Sequence, residues 1–207
     1  MQQPVLQNAR ITGERVVLAP ASAEAGLAVY PDLARSGEIF EWLHWDGPLC
    51  AEDMAARWSD WRTREDLGQG VDYVFCLQRP GDERPIGGLN LRFRGHLFCG
   101  DLGYWLLPEF HGQGIGAEAV RLAAWLTFEH LAGQLLIAEI FEGNEPSRRL
   151  LERQGFRRSE EADVSAREIA SRCAGGERKV WTYTLGRRTW ARGDGVAPVG
   201  ADLAVVE

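Results

Sequence analysis

Three glycines, Gly112, Gly114 and Gly116, stand where an apolar run ends and an amphipathic helical pattern begins. The start of a helix leaves its first amide N–H groups without intrahelical partners and carries about half a positive charge. Glycine there removes the side chains that would hold a ligand away from those donors. The combination makes an anion site, suited above all to a phosphate or a diphosphate.

Two chemistries compete for such a loop. Gly112, Gly114 and Ala117 fit the G-x-G-x-x-A spacing of dinucleotide binding, and Glu139 closes the next apolar run, where a ribose-binding acid belongs. A nicotinamide oxidoreductase is therefore one reading. Against it, Pro108, Glu109, Phe110 and His111 separate the glycines from the strand that should feed them directly. A nucleoside-triphosphate loop is excluded, because no Lys-Ser or Lys-Thr follows the glycines.

The elements around the loop follow from periodicity and turn residues. Arg15 to Pro20 reads as a short strand stopped by proline. Ser22 caps a helix to about Ala34, with Ala25, Val29 and Leu33 on one face. A second helix runs from Ala51 to about Leu67 with Met54, Trp58 and Trp61 on one side, ended by Gly68 and Gly70. Strands over Tyr73 to Gln78, Pro85 to Phe93 and Asp101 to Leu107 are joined by tight turns at Pro80-Gly-Asp and Arg94-Gly-His, which predicts an antiparallel meander. The small pair Gly87-Gly88 invites close approach by another element.

After the glycines, a helix from about Ala117 to Leu131 turns Val120, Ala124 and Leu131 inward and Glu118, Arg121 and Glu129 outward, and Gly133 closes it. Leu135 to Ile140 is a compact strand, so strand, helix and strand predict a parallel pair. Asn144 caps a helix to about Gln154, with Pro146 in its first turn and Gly155 past its end. Phe156 opens another strand. Residues 159–177 are polar, with a short helix near Ala166 to Arg172, and Lys179 to Leu185 alternates as a last strand. Beyond Trp190 little periodicity remains, and a loosely ordered tail over 191–207 is expected.

At 207 residues the chain fits one domain, and 45% hydrophobic with 26% charged residues allows a core of ordinary size. A net charge of -7 argues against a general nucleic-acid binder and suits an amine-bearing partner. Cys50, Cys76, Cys99 and Cys173 form neither a C-x-x-C pair nor a metal-ligand cluster, so no metal and no disulfide framework is expected. No stretch is long enough for a signal peptide or a bilayer span. The chain reads as intracellular, reduced and cytoplasmic, without membrane partners.

Gly103-Tyr-Trp-Leu-Leu-Pro-Glu-Phe-His-Gly-Gln-Gly-Ile-Gly-Ala-Glu-Ala119, then a helix, a strand and Asn144-x-x-Ser147-Arg-Arg-Leu-Leu-Glu-Arg-Gln-Gly-Phe156, resembles the GNAT N-acetyltransferases, especially the branch that modifies ribosomal-protein N-termini. The two motifs cover about a quarter of the chain, in the family's order and separation. The resemblance implies an α/β (α+β) acyl-CoA N-acyltransferase fold over residues 10–190, a mixed, mostly antiparallel sheet of six to seven strands flanked by helices. It implies acetyl transfer from acetyl-CoA to a primary amine, on a protein N-terminus or a small molecule, by direct attack in a ternary complex. A homodimer is compatible with it.

By the same resemblance, the strands at Gly103–Leu107 and Leu135–Ile140 splay, and pantetheine bonds the backbone of Trp105 and Leu106. The diphosphate rests on the amides of Gly112, Gln113, Gly114, Ile115, Gly116 and Ala117. His111 replaces the family's usual Arg or Gln, and is either a coenzyme contact or a packing residue. Leu151 stands where many relatives carry an acidic Tyr, so the proton donor moves to Ser147, which can equally be a helix-start residue. Asn144 matches a coenzyme-contacting position and is also a complete cap. Asp101 matches an acidic position and shares a strand face with Gly103 and Trp105, which makes it either the proton acceptor or a strand-edge charge turned to solvent, with Glu139 and Glu142 in reserve. Separately from the resemblance, Trp42, Trp45, Trp58 and Trp61 read as core residues, with lining of the acceptor pocket the alternative for Trp42 and Trp45. The missing tyrosine leaves a non-catalytic CoA-binding protein as a third reading.

Overall fold

The computed structural model describes residues 5–6, 9–43, 45–60, 71–93, 99–160, 179–191, 197–203 and 205–206. The short helix expected near 166–172, Trp61 with the glycine stop at 68 and 70, and the turn at 94–96 lie outside the described residues.

The strands are β1 (Val5–Leu6), β2 (Arg10–Thr12), β3 (Val17–Pro20), β4 (Val71–Gln78), β5 (Pro85–Phe93), β6 (Cys99–Leu106), β7 (Leu135–Phe141), β8 (Arg157–Arg158), β9 (Val180–Gly186), β10 (Gly200–Asp202) and β11 (Val205–Val206). The helices are α1 (Ala23–Arg35), α2 (Ala51–Asp60), α3 (Ile115–Trp125), α4 (Glu145–Arg153) and the short α5 (Arg187–Trp190). Nine strands form one sheet in the order β10-β2-β3-β4-β5-β6-β7-β9-β8, and β1 pairs with β11 separately. The mixed α+β layout agrees with expectation, including the antiparallel run β4-β5-β6 and the parallel pair β6-β7.

The sheet is wider than the six or seven strands expected, because short edge strands with little periodicity join it. The segment expected to be a loose tail supplies one of them: Gly200–Asp202 pairs antiparallel with Arg10–Thr12. An edge strand such as β2 presents a row of backbone donors and acceptors that favours such an addition whatever the side chains are.

Each face of the sheet has its own core. Leu89, Leu91, Leu102, Leu136, Ala138 and Ile140 point to α3 and α4. Val17, Ala19, Cys76 and Leu107 point to α1 and α2, where Val29, Leu33, Met54 and Trp58 meet them. Ser22 Oγ accepts the N–H of Ala25 at 3.2 Å and starts α1. Gly26 lets α2 press against α1, since a Cβ there would come within 2.9 Å of the Ala55 backbone. Gly87 and Gly88 are small for the reason anticipated: added Cβ atoms would meet Trp105 O at 2.4 Å and Trp105 Nε1 at 2.6 Å.

Two expectations for α3 are corrected. The helix starts at Ile115 rather than Ala117, and after Trp125 it widens into a π-helical turn over Leu126–His130. Glu118 is not outward: it is 4% exposed, and its carboxylate accepts the backbone N–H groups of Glu14 and Arg15 at 2.8 and 2.7 Å. Two backbone amides satisfy the hydrogen-bonding needs of a carboxyl group at that depth.

Candidate active site

β6 and β7 pair only at Cys99 with Leu135, Gly100 with Leu136 and Asp101 with Ile137. Beyond those pairs each strand stays bound to its outer neighbour, β6 to β5 as far as Leu106 and β7 to β9 as far as Phe141. The sheet therefore opens into a gap between two well-supported strands. Leu107 donates its N–H to Ile86 O at 2.9 Å. By strand alternation, Gly103 and Trp105 also turn their backbone groups to β5, and Leu102, Tyr104 and Leu106 turn theirs to the gap. Of the two positions expected to offer backbone there, Leu106 faces the gap and Trp105 does not.

The glycine loop closes the end of the gap. Phe110 and His111 bond back to Leu107 and Pro108, making a tight turn after β6. Gly112 and Gly114 then take φ of 73° and 77°, where only glycine is at ease. Gly114 occupies the cap position of α3 with no side-chain cap, so the first-turn amides at Ile115, Gly116 and Ala117 have no cap to satisfy them. A Cβ on Gly112 would meet nothing within 4 Å, so this side of the loop is open to a ligand. Gly116 serves packing instead: its Cβ would sit 3.1 Å from Leu150 Cδ1, where α3 meets α4.

The neighbouring side chains have distinct tasks. His111 Nε2 lies 2.8 Å from Leu106 O, so its ring, protonated on Nε2, caps the end of β6. Gln113 Nε2 donates to Glu109 O at 2.7 Å and braces the loop from within. Asn144 Oδ1 accepts the N–H of Ser147 at 3.2 Å, the cap geometry expected of it.

Ser147 itself does more than start a helix: its Oγ lies 2.6 Å from the hydroxyl of Tyr104 on β6. Burial pushes the Tyr104 hydroxyl up to about 12, with the Ser147 hydrogen bond pulling weakly the other way. Sequence reasoning missed Tyr104. Only the packing of α4 brings the two together: Leu151 is fully buried in the α3-side core, and Ser147, one turn earlier on the same helix face, is turned toward β6.

Asp101 and Ser147 sit at opposite faces of β6. Leu102 belongs to the core on the α3 side, and Trp105 packs on the α1–α2 side, where its ring stacks on Trp58 at 6.4 Å. Asp101 and Gly103 share the face of Trp105 by alternation. Asp101 is half-buried and directly opposite Arg92 of β5, at the last point where β6 and β7 pair. Glu139 stands opposite Thr182, half-buried on the far side of the gap. Glu142 is exposed and lies 3.9 Å from Lys179. Trp42 packs on Phe141 and Val180, while Trp45 meets the Phe40 ring edge-on at 5.5 Å in the α1–α2 core. Among the described residues, no three His, Cys, Asp or Glu side chains are grouped to hold a metal, and no helix is long and apolar enough to cross a membrane.

Residues 15–157 match the family described as the acetyltransferase (GNAT) domain. The chain belongs to the GNAT acetyltransferase family. As such it is an acetyl-CoA-dependent N-acetyltransferase, and the oxidoreductase and non-catalytic readings fall. The probable N-acetyltransferase YjcK of Bacillus subtilis is 28% identical over 151 residues, which span 70% of this chain and 82% of that protein. Among solved structures, a GCN5-related N-acetyltransferase from Brucella melitensis superposes with a TM-score of 0.74 at 18% identity, covering 92% of this chain and 85% of that one. Mycobacterium smegmatis RimJ in complex with CoA-disulfide superposes with a TM-score of 0.71 at 17% identity, covering 98% and 100% of the two chains. At such identity these structures share the fold of this GNAT protein.

Proposed function

We propose that this GNAT protein moves the acetyl group of acetyl-CoA to a primary amine by direct attack, in the gap between β6 and β7. The observation that carries this reading is the end of β6–β7 pairing at Asp101 and Ile137, with the open, uncapped start of α3 at the same gap. A ligand with an extended arm and an anionic end fits that shape. The RimJ structure was captured with a CoA disulfide, which supports coenzyme A as the kind of ligand this fold takes. The loop from Gly112 to Ala117 holds the diphosphate through its amides, and the gap-facing backbone of β6 orients the arm. His111 and Asn144 support this frame, the one fixing the strand end and the other the start of α4.

When bound, acetyl-CoA supplies a thioester carbon open to nitrogen attack. The residues supply proton traffic on its two sides. An alkyl amine is mostly protonated at neutral pH, and only its neutral form attacks, so Asp101 accepts a proton from the entering amine, directly or through water. The new C–N bond forms as the C–S bond breaks. Ser147 gives its hydroxyl proton to the departing sulfur, and the proton that the nitrogen sheds as it becomes an amide returns to Ser147 through water, so the serine is regenerated. Tyr104, a stronger acid than an aliphatic alcohol, donates its own hydrogen bond to Ser147 Oγ and leaves the serine O–H free to point at the sulfur. Placing acceptor and donor on opposite faces of β6 suits a reaction in which one serves nitrogen and the other sulfur.

The acceptor is a primary amine, either a protein N-terminus or a small molecule. Incubating the protein with acetyl-CoA and a panel of ribosomal-protein N-terminal peptides, polyamines, aminoglycosides and amino acids, with free thiol as readout, tests this. Amine-dependent thiol release is expected with at least one class; none with any amine would refute the reading.

A further inference from the structure

Arg15 lies in the turn between β2 and β3, remote in sequence from the glycine loop. The N–H groups of Glu14 and Arg15 both bond the buried carboxylate of Glu118, one turn inside α3. The turn is seated closely, since a Cβ on Gly13 would come within 2.8 Å of that carboxylate. The Arg15 side chain consequently runs beside the loop: a Cβ on Gly114 would lie 3.6 Å from both its Cδ and its Nε. Arg15, Arg79, Gln113 and Ile115 line an open cavity of about 440 Å3 at this end of the sheet. Two acids also line it, Glu14 and Asp82, and Asp82 is paired with Arg79 at 3.0 Å. The exposed Arg15 guanidinium has no ion pair among the described residues, and it flanks the uncapped amides of α3.

We propose that Arg15 is a side-chain ligand of the coenzyme diphosphate, held in place by Glu118 as a positioning residue. The inference rests on the placement of acetyl-CoA proposed above. Amides at a helix start supply partial charges of fixed direction, and a guanidinium adds a full charge with parallel N–H donors that match phosphate oxygens. Glu118 links the two, because the carboxylate that anchors the Arg15 backbone grows from the same helix whose start faces the anion.

Calorimetric titration of the full chain with CoA, dephospho-CoA and pantetheine tests the assignment. Arg15→Gln is expected to weaken CoA and dephospho-CoA alike by about tenfold, the size of one partly solvated charged hydrogen bond, and to leave pantetheine unchanged. It should also flatten the salt dependence of CoA affinity, and Arg15→Lys should recover part of the loss. Glu118→Gln is expected to weaken CoA in the otherwise native chain and to add nothing on top of Arg15→Gln; additive losses would overturn the positioning role. A loss confined to CoA would assign Arg15 to the 3′-phosphate and overturn the diphosphate pairing. Equal CoA affinity of the native chain and Arg15→Gln would overturn the proposal while leaving the acetylation reading intact. A native chain that binds no CoA would overturn both.

Discussion

The hydroxyl oxygens of Tyr104 and Ser147 lie 2.6 Å apart, joining the strand on one side of the gap to the first turn of α4. A serine that only capped its helix would have no need of this partner, because Asn144 already caps α4. Ser147→Ala is expected to lower kcat about a hundredfold, the usual scale for losing a positioned proton donor, with little change in CoA affinity. Tyr104→Phe keeps the ring and removes the hydrogen bond, and should lower kcat about fivefold with KM for acetyl-CoA unchanged. Steady-state kinetics of both variants decide the matter: full turnover by Ser147→Ala would leave that residue a helix-start group only.

Leu151 is fully buried in the α3-side core. Restoring the family tyrosine there should not restore an acid. Leu151→Tyr is expected to destabilise the fold by about 1–3 kcal/mol through overpacking, and to leave the Ser147→Ala defect unrepaired. Denaturant melts and turnover of the double variant check both halves. Recovery of turnover would show that the tyrosine reaches the gap after all.

Gly114 holds a φ of 77°, and a Cβ placed on it would have no neighbour nearer than 3.6 Å, so its need for glycine is conformational rather than steric. Gly114→Ala should cost about 1–2 kcal/mol of stability, the left-handed penalty for an L-residue, and should weaken CoA by distorting the first-turn amides. Thermal melts with and without CoA separate the two effects.

The alkaline limb of stability carries the signature of Tyr104. Its folded-state hydroxyl is raised to about 12 from an ordinary value of 10.0. The folded chain thus keeps a proton that the unfolded chain sheds, and stability is lost as pH rises from about 10 toward 12. Tyr104→Phe should flatten that part of the curve. Cys76, raised by burial to about 11 from 9.0, contributes a similar slope beginning lower, so the comparison is made in a Cys76→Ala background.

Cys50 is exposed and Cys76 buried, with desolvation holding the Cys76 thiol in its protonated form. Only the thiolate reacts, so iodoacetamide at pH 8 should label Cys50 in the native protein and reach Cys76 only after unfolding. Peptide mass mapping reads both sites. Labelling of Cys76 at the rate of Cys50 would show that β4 opens readily.

The glycine turn before α3, the meander, the parallel crossover and the capped start of α4 were all legible in the sequence. Each is set by neighbours in the chain: glycine where φ is positive, proline and asparagine where a helix starts, alternation where a strand is half covered. The family followed from the same local signals, since Gly112, Gly114, Asn144 and Ser147 carry it in a short span.

Tertiary structure decided the rest, because it depends on which distant groups meet. Glu118 reads as a solvent-facing helix residue until the β2–β3 turn brings two amides to it. Tyr104 reads as one apolar strand position among several until α4 lays Ser147 against its hydroxyl. His111 reads as either a coenzyme contact or a packing residue, and only the fold sets its ring 2.8 Å from Leu106 O. The closing strand Gly200–Asp202 joins the sheet through backbone bonds, which no side-chain pattern records. Local preference is encoded residue by residue, whereas the partner of a buried charge or hydroxyl is fixed only when the chain has packed.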